Sequence, residues 1–248
     1  MADSLGDSLG DRMKNQYENR TRLMLPRRTY TLIRVDGKAF HTFTRGCVRP
    51  WDNMLAWSME AAAHGLVTEL QGSAFAYLQS DEISVLLTDF ASEKTDAWFD
   101  GNVQKMASVS ASIATACFNR MWQGSTSTNE LALFDARVWT IPDPTEVANY
   151  FIWRQQDAER NSLQMLARCH YSHAELLGRN SADIHAMLYT AGVNWNDCPT
   201  QQKRGRAIVY REGIGKPSNP GWAVDSEIPV FTSEEGREWL RTRIPRYE

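Results

Sequence analysis

Thr29-Tyr-Thr-Leu-Ile-Arg-Val-Asp-Gly37 and Ala74-Phe-Ala-Tyr-Leu-Gln-Ser-Asp-Glu-Ile-Ser-Val-Leu-Leu87 decide the fold. Both stretches are dense in β-branched and aromatic residues, which suit a pleated, buried surface. The first reaches Asp36 and stops at Gly37, a strand running into a turn. The second is two apolar runs around the polar centre Gln79-Ser-Asp-Glu82, the pattern of a hairpin. With the first strand beside that hairpin, Asp36, Asp81 and Glu82 converge at one end of a sheet.

Outward from these stretches the pattern turns helical. Over Asp52–Leu70 the residues Met54, Leu55, Ala62, Leu66, Val67 and Leu70 fall near one face, and Gly72 stands past the end. Thr95–Trp122 is expected to be a second helix, with Val103, Met106, Ser110, Ile113 and Cys117 in period and small residues between them. Residues 123–129 read as a polar loop and Ala132–Trp139 as a strand. Asp143 can cap a helix that Pro144 opens, with Glu146 completing a capping box, and the helix is expected to run to about Arg168. Ser172 with Glu175 opens a short helix, Ser181–Ala191 forms another, Arg206–Tyr210 a strand, Gly213–Gly221 a loop and Ser233–Arg243 a terminal helix. The first ten residues carry no periodicity, and Asp11–Arg28 holds a short helix. Strand, helix, hairpin, helix and strand in that order give an α+β fold, an antiparallel sheet with helices on one face. Residues 1–140 form its catalytic region, and the helical portion 141–248 completes the same unit.

Composition narrows the function classes. A chain of 248 residues with 42% hydrophobic content supports one sizeable core. No run approaches the roughly 18–20 apolar residues of a membrane span, and Met1–Arg20 has no apolar signal core, so the expected location is the cytoplasm. Cys47, Cys117, Cys169 and Cys198 lie far apart and read as free thiols. His170, His173 and His185 lack the acidic or cysteine partners of a metal site. With 27 basic against 30 acidic residues and a net charge of −3, the chain does not coat nucleic acid by bulk electrostatics. Contact with a polyanion needs local basic clusters, such as Lys203, Arg204, Arg206 and Arg211 or Arg27 with Arg28, or a surface assembled between subunits.

Three converging carboxylates suit phosphoryl transfer, in which two magnesium ions about 3.5–4 Å apart serve the attacking and leaving oxygens. Magnesium takes a few carboxylates plus waters and substrate phosphates, so two or three acids suffice. Asp-Gly and Ser-Asp-Glu are also ordinary turn residues, and spacing alone does not separate the two readings.

A longer resemblance does. Asp11-Arg-Met-Lys14 with Tyr17-Glu18, Arg34-Val-Asp-Gly-Lys-Ala-Phe40, Gln79-Ser-Asp-Glu82, Trp153-Arg-Gln-Gln-Asp157 and Lys203-Arg-Gly205 stand in the order seen in the tRNA-histidine guanylyltransferase superfamily, which this chain resembles over most of its length. The resemblance implies a palm-like core, similar to that of polymerases and nucleotide cyclases, and 3′–5′ nucleotide addition to the 5′ end of tRNA. It implies two Mg2+ ions, ATP, GTP or another NTP as substrates, tRNA as partner and a homotetramer. By the same resemblance Asp36 and Asp81 are metal ligands, Gly37 offers a carbonyl, and Glu82 is a third acid. The amides of Gly37, Lys38, Ala39 and Phe40 cradle the triphosphate, and Lys38 and Lys105 add charge. Ser80 and Arg49 match positions of the activation step, where the family often has Lys in place of Arg49. Arg34, on the strand face of Asp36, either meets RNA or phosphate or forms a structural ion pair. Where eukaryotic members read His-Ile-Asn-Asn, this chain reads Glu159-Arg-Asn-Ser162 and keeps only Asn161 of the asparagines. That departure resembles the guanylyltransferase-like branch of bacteria and archaea, whose additions form Watson–Crick pairs. A palm-type cyclase is the first rival, but the hairpin lacks a Gly-Gly-acidic-Glu-Phe turn. A non-catalytic RNA-binding protein is the second, although clustered acids serve no phosphate-binding surface.

Overall fold

The structure is a computed structural model that describes residues 8–122, 131–211 and 221–247. The expected loops at 123–129 and 213–220 and the first seven residues lie outside the described residues. In chain order the elements are α1 (Leu9–Gln16), β1 (Tyr30–Gly37), α2 (Phe40–Phe43), α3 (Asn53–Glu69), β2 (Ser73–Gln79), β3 (Glu82–Leu87) and α4 (Val103–Met121). There follow β4 (Phe134–Ile141), α5 (Pro144–Ala167), α6 (His173–Leu176), α7 (Ser181–Thr190), α8 (Thr200–Arg204), β5 (Arg206–Arg211), β6 (Gly221–Asp225) and α9 (Glu234–Arg243).

One antiparallel sheet runs in the order β4-β1-β3-β2-β5-β6 and so takes strands from both halves of the chain. Alternation along each strand assigns side chains to opposite faces. Ile33 and Val35, Ala76 and Leu78, Ile83 and Val85, and Ile208 meet Met59, Ala62 and Leu66 of α3 and Met106, Ala114 and Phe118 of α4. Tyr30, Leu32, Phe75, Tyr77, Leu86 and Val209 point the other way, onto Val147, Tyr150 and Phe151 of α5 and Leu240 of α9. α3 and α4 thus share one face as expected, and α5 and α9 cover the other. Covering both faces explains why every residue of β3 is buried. The small residues of α4 serve helix contact as well: a Cβ on Gly65 of α3 would stand 2.5 Å from Cys117 Sγ. Beyond the sheet, Leu163 and Leu166 of α5 join Leu176, Ile184 and Leu188 in a small helical cluster.

Several element ends differ from expectation for local reasons. α4 begins at Val103 rather than Thr95, because Phe99 and Asp100 sit at φ 49° and 53° and Gly101 at φ 74°. Asn102 then caps, its Oδ1 accepting from the Lys105 amide at 3.1 Å. Asp143 caps α5 through the amides of Thr145 and Glu146, but Glu146 accepts from Asn149 instead of closing a capping box. Ser172 with Glu175 forms a complete box at α6. β6, with the short run Trp222-Ala-Val224, was unanticipated; it gains its place by pairing with β5.

Gly205, between α8 and β5, adopts φ 78° and ψ −166°, a conformation open essentially only to glycine. A Cβ there would lie 2.3 Å from the Leu78 carbonyl oxygen. Gly205→Ala is expected to cost roughly 1–3 kcal/mol, read as a lower urea midpoint with unchanged m-value; an unchanged midpoint would show that the turn relaxes freely.

Candidate active site

β1 pairs with β3 so that Asp36 opposes Glu82, and with β4 so that Asp36 opposes Asp135. Ser80 and Asp81 form the two-residue turn between β2 and β3, and the Gly37 amide donates to the Asp81 carbonyl at 3.1 Å. This bond ties the end of β1 to the hairpin tip and gathers Asp36, Gly37, Ser80, Asp81 and Glu82. Beyond Gly37 the chain turns sharply, with Ala39 at φ 54°, and the Phe40 ring tucks beneath the glycine. A Cβ on Gly37 would stand 2.3 Å from Phe40 Cδ2, so only glycine permits that closure. Ser80 at φ 49° and Ala39 are both left-handed without being glycine, a backbone cost of order 1 kcal/mol each that the surrounding pairs hold in place.

The carboxylates are poised for a cation. Burial raises the Asp36 carboxyl above its usual range, the charge of Asp135 adds to the rise, and Arg34, Arg137 and Arg154 oppose it. Burial likewise raises Asp81; the Ser80 hydroxyl and His41 pull it down, and Asp36 pushes it up. The two acids therefore repel in partly desolvated surroundings, which a divalent ion would relieve. Among the described residues no three His, Cys, Asp or Glu side chains form a metal cage of their own. Magnesium asks for less, since one or two carboxylates and substrate phosphates complete its shell. The oxygen donors of Asp36 and Asp81 fit that demand.

Glu82 reaches the same end of the sheet but is engaged. Arg154 Nε donates to its Oε1 at 2.8 Å and Arg154 Nη2 to its Oε2 at 2.9 Å. Burial raises Glu82, while Arg154 and Arg34 lower it, and a fork on both oxygens keeps it ionised. Arg34 Nε lies 3.9 Å from Glu82 Oε2 and has no hydrogen-bond partner, so the ion-pair reading of Arg34 is the one with an observed contact.

The triphosphate cradle is narrower than expected. The Gly37 amide is spent on Asp81 and the Lys38 amide on the Leu133 carbonyl at 2.8 Å. Among the described residues the amides of Ala39 and Phe40 are outside this backbone network, beside the exposed Lys38 side chain. Lys105 lies apart from the carboxylates. α4 starts at the far end of the sheet, where Asn102 bridges to Met24, and only its later residues reach the site, Phe118 packing on Phe40. Lys105 stands thirteen residues before Phe118, about 20 Å along the helix, and is not brought to the carboxylates within one protomer.

Members of both basic clusters are engaged internally. Arg206 is 2% exposed: its Nε lies 2.6 Å from Glu60 Oε1, its Nη2 donates to the Ala56 carbonyl at 2.8 Å, and its guanidinium lies over Trp51. Strand alternation carried this charge inward. Arg204 pairs with Glu159 at 3.4 Å, and Lys203 Nζ donates to the Asn196 carbonyl. Arg27 is spread over Asp89, Asp96 and Asp100, and Arg28 Nη2 donates to the Glu93 carbonyl. The departure at Glu159-Arg-Asn-Ser162 has a local role, since Ser162 Oγ donates to the Lys203 carbonyl and accepts from Trp195 Nε1. Asn161 is exposed on the wall of a cleft of about 100 Å³ that Trp51, Ser80 and Trp195 also line. Arg49 is exposed beside that cleft.

Sequence reading gave no role to Asp135, His41 or Arg154, although Arg154 stands in the Trp153-Arg-Gln-Gln-Asp157 motif. Asp135 had no signal before the register was known. Arg154 had one, four residues after Tyr150 and seven after Val147 on the apolar stripe of α5.

Residues 10–142 match the family described as Thg1: tRNAHis guanylyltransferase, more than half of the chain. The chain belongs to the tRNA(His) guanylyltransferase family. Members of this family are nucleotidyltransferases. A bacterial tRNA(His) guanylyltransferase (Thg1)-like protein in complex with ATP superposes with a TM-score of 0.87 at 42% identity, covering 96% of this chain and 99% of that one. The GTP complex of a bacterial Thg1-like protein gives 0.83 at 42% identity, with 97% and 100% covered. The tRNA(His) guanylyltransferase of Schizosaccharomyces pombe is 32% identical over 214 residues, 80% of this chain and 79% of its own. The sheet described above is thus the palm-like core of this guanylyltransferase family.

A raised Asp81 favours the fold below the carboxyl's unfolded pKa, near 3.9, and that advantage is lost as pH rises through the folded value. At pH 7 the charge is therefore a cost. Asp81→Asn is expected to raise the Tm of the metal-free protein at pH 7, each kcal/mol being worth about 2–4 °C at this size. The gain should shrink toward pH 4; a lower Tm at pH 7 would contradict the electrostatics.

Proposed function

We propose that this protein repairs the 5′ ends of truncated tRNAs by template-directed 3′–5′ nucleotide addition, using Asp36 and Asp81 to hold two magnesium ions. The observation that carries the reading is the pair of partly buried, mutually repelling carboxylates at the sheet end of a tRNA(His) guanylyltransferase relative. Bound magnesium would offset charge on the phosphates and lower the pKa of the attacking hydroxyl. In the first step a tRNA 5′ phosphate attacks ATP and pyrophosphate leaves; a 5′ triphosphate needs no such step. In the second the 3′ hydroxyl of the incoming nucleotide attacks the activated 5′ phosphorus and the activating group leaves.

The chain's own residues divide this work. Ala39 and Phe40 offer amides to triphosphate oxygens, with the Lys38 ammonium beside them. The Gly37 carbonyl adds an oxygen donor next to Asp36. The cleft between Trp51 and Trp195 gives a base an apolar wall, with Ser80 and Asn161 in its lining and the exposed Arg49 next to the lining residue Pro50 for the 5′ phosphate. Arg27, Arg204 and Arg206 are spent on internal partners, so the two basic clusters of one protomer offer RNA less surface than the sequence suggests. A homotetramer, in which one subunit catalyses and others hold the tRNA, supplies the missing surface. Guanine need not be read by the pocket, since pairing with the opposite strand can choose the nucleotide. The 42% identity to bacterial guanylyltransferase-like proteins and the Glu159 and Ser162 departures support this branch.

Asp36→Asn keeps shape and deletes charge, and is expected to lower nucleotide addition about 10²–10³-fold with unchanged circular dichroism, the scale of losing a group that stabilises transition-state charge. Near-normal turnover would remove the two-metal assignment. With tRNAs lacking the first nucleotide, changing the opposing base through all four identities should change the incorporated nucleotide to match. Guanosine added whatever the template, and to tRNA-histidine alone, would place the chain on the other branch.

A further inference from the structure

Arg154 belongs to α5, yet its guanidinium ends beside the hairpin tip. It is 6% exposed and grips both oxygens of Glu82 while Nη2 also donates to Asp157 Oδ2 at 2.9 Å. One turn earlier, the Tyr150 hydroxyl and Ser84 Oγ are hydrogen-bonded at 2.8 Å. Four residues along a helix advance about 6 Å, and two along a strand about 6.6 Å. The pairs Tyr150–Ser84 and Arg154–Glu82 are therefore matched in spacing and fasten α5 to β3 at two points. Trp153 covers the guanidinium, its ring centroid 4.4 Å away. Gln155 anchors the next position, donating to the Pro229 carbonyl at 2.9 Å and accepting from the Phe231 amide at 2.6 Å. The helix is thereby prevented from sliding along the sheet.

Glu82 directly follows Asp81 and faces Asp36 across the β1–β3 register. We propose that Arg154 is a positioning residue: by engaging both oxygens of Glu82 it fixes the hairpin tip against β1 and withholds Glu82 from the metal, leaving Asp36 and Asp81 as the presented acids. This rests on the reading that Asp36 and Asp81 hold magnesium. The withholding has a chemical consequence. Two carboxylates suit magnesium, which keeps its waters and takes substrate phosphates, whereas a third opposing carboxylate builds toward the higher oxygen count that calcium accepts.

Arg154→Gln removes the fork from Glu82 and leaves it Arg34, 3.9 Å away, in place of two hydrogen-bonded contacts. The test titrates the metal-free protein with calcium alone by calorimetry, and follows hydrogen exchange of the Gly37 amide and residues 80–84 without metal or nucleotide. Expected for Arg154→Gln are calcium binding at least tenfold tighter than in the unaltered protein, exchange at least tenfold faster at the tip but not in β3's interior, and a fall in kcat with nucleotide KM retained. Glu82→Gln/Arg154→Gln removes both partners and should return calcium affinity to the original level. Arg154→Lys, which keeps the charge and part of the bonding, should lie between, and serves if Arg154→Gln does not fold. Original calcium affinity and original tip exchange in Arg154→Gln, or in Arg154→Lys where that is the variant read, would overturn the proposal. Failure of the underlying reading is distinct: it appears as an Asp36→Asn enzyme that still adds nucleotides, whatever Arg154 does.

Discussion

The gathering of Asp36, Asp81 and Asp135 at one end of the sheet is the constraint around which this molecule is organised. Two acids held close together and half removed from water favour separation or protonation, and only a rigid frame keeps them in place. The frame is the central strand pair, β1 on β3, with every residue of β3 buried between two layers of helices. The Gly37–Asp81 hydrogen bond closes the frame where the charges meet, and the left-handed Ser80 and Ala39 bend the chain there. Stability is given up at the sheet end, and under the proposed function a bound cation would restore it.

Arginine does much of the building. Arg154, Arg206 and Arg34 are drawn inward beside Glu82 and Glu60, and Arg27 fastens the segment before β1 to the loop after β3. A planar guanidinium can meet a carboxylate and a backbone carbonyl at once, as Arg206 does with Glu60 and Ala56, and stack on an indole with its face. Lysine could not replace it in these roles. A nearly balanced charge count thus conceals a division of labour, with Arg34, Arg154 and Arg206 drawn inside and Lys38 and Arg49 left exposed.

How far the sequence could be read depended on the range of the interactions involved. β1 and the β2–β3 hairpin were legible because period-two patterning and turn residues are local, and the start of α5 because Asp143 and Pro144 act on their own neighbours. The gathering of Asp36, Gly37, Ser80 and Asp81 was legible from the ordered motifs. The distance of Lys105 from the carboxylates was not legible, because it is set by the direction in which α4 crosses the sheet, which no local pattern encodes. Arg206 looked like surface because charge runs usually are, and only strand alternation and Glu60 reveal otherwise. Asp135 required the β1–β4 register, and β6 required a partner strand to become a strand at all.

The pairing of Glu159 with Arg204, together with the hydrogen bonds of Ser162 to Lys203 and Trp195, has an evolutionary meaning. A histidine at 159 would leave Arg204 beside a neutral or positive ring, and a larger amide at 162 would crowd the junction with α8. Positions 159, 162 and 204 therefore form an epistatic set, in which a change at one alters the fitness of changes at the others. Exchanging this segment for His-Ile-Asn-Asn would therefore require compensating substitutions at the junction with α8 as well.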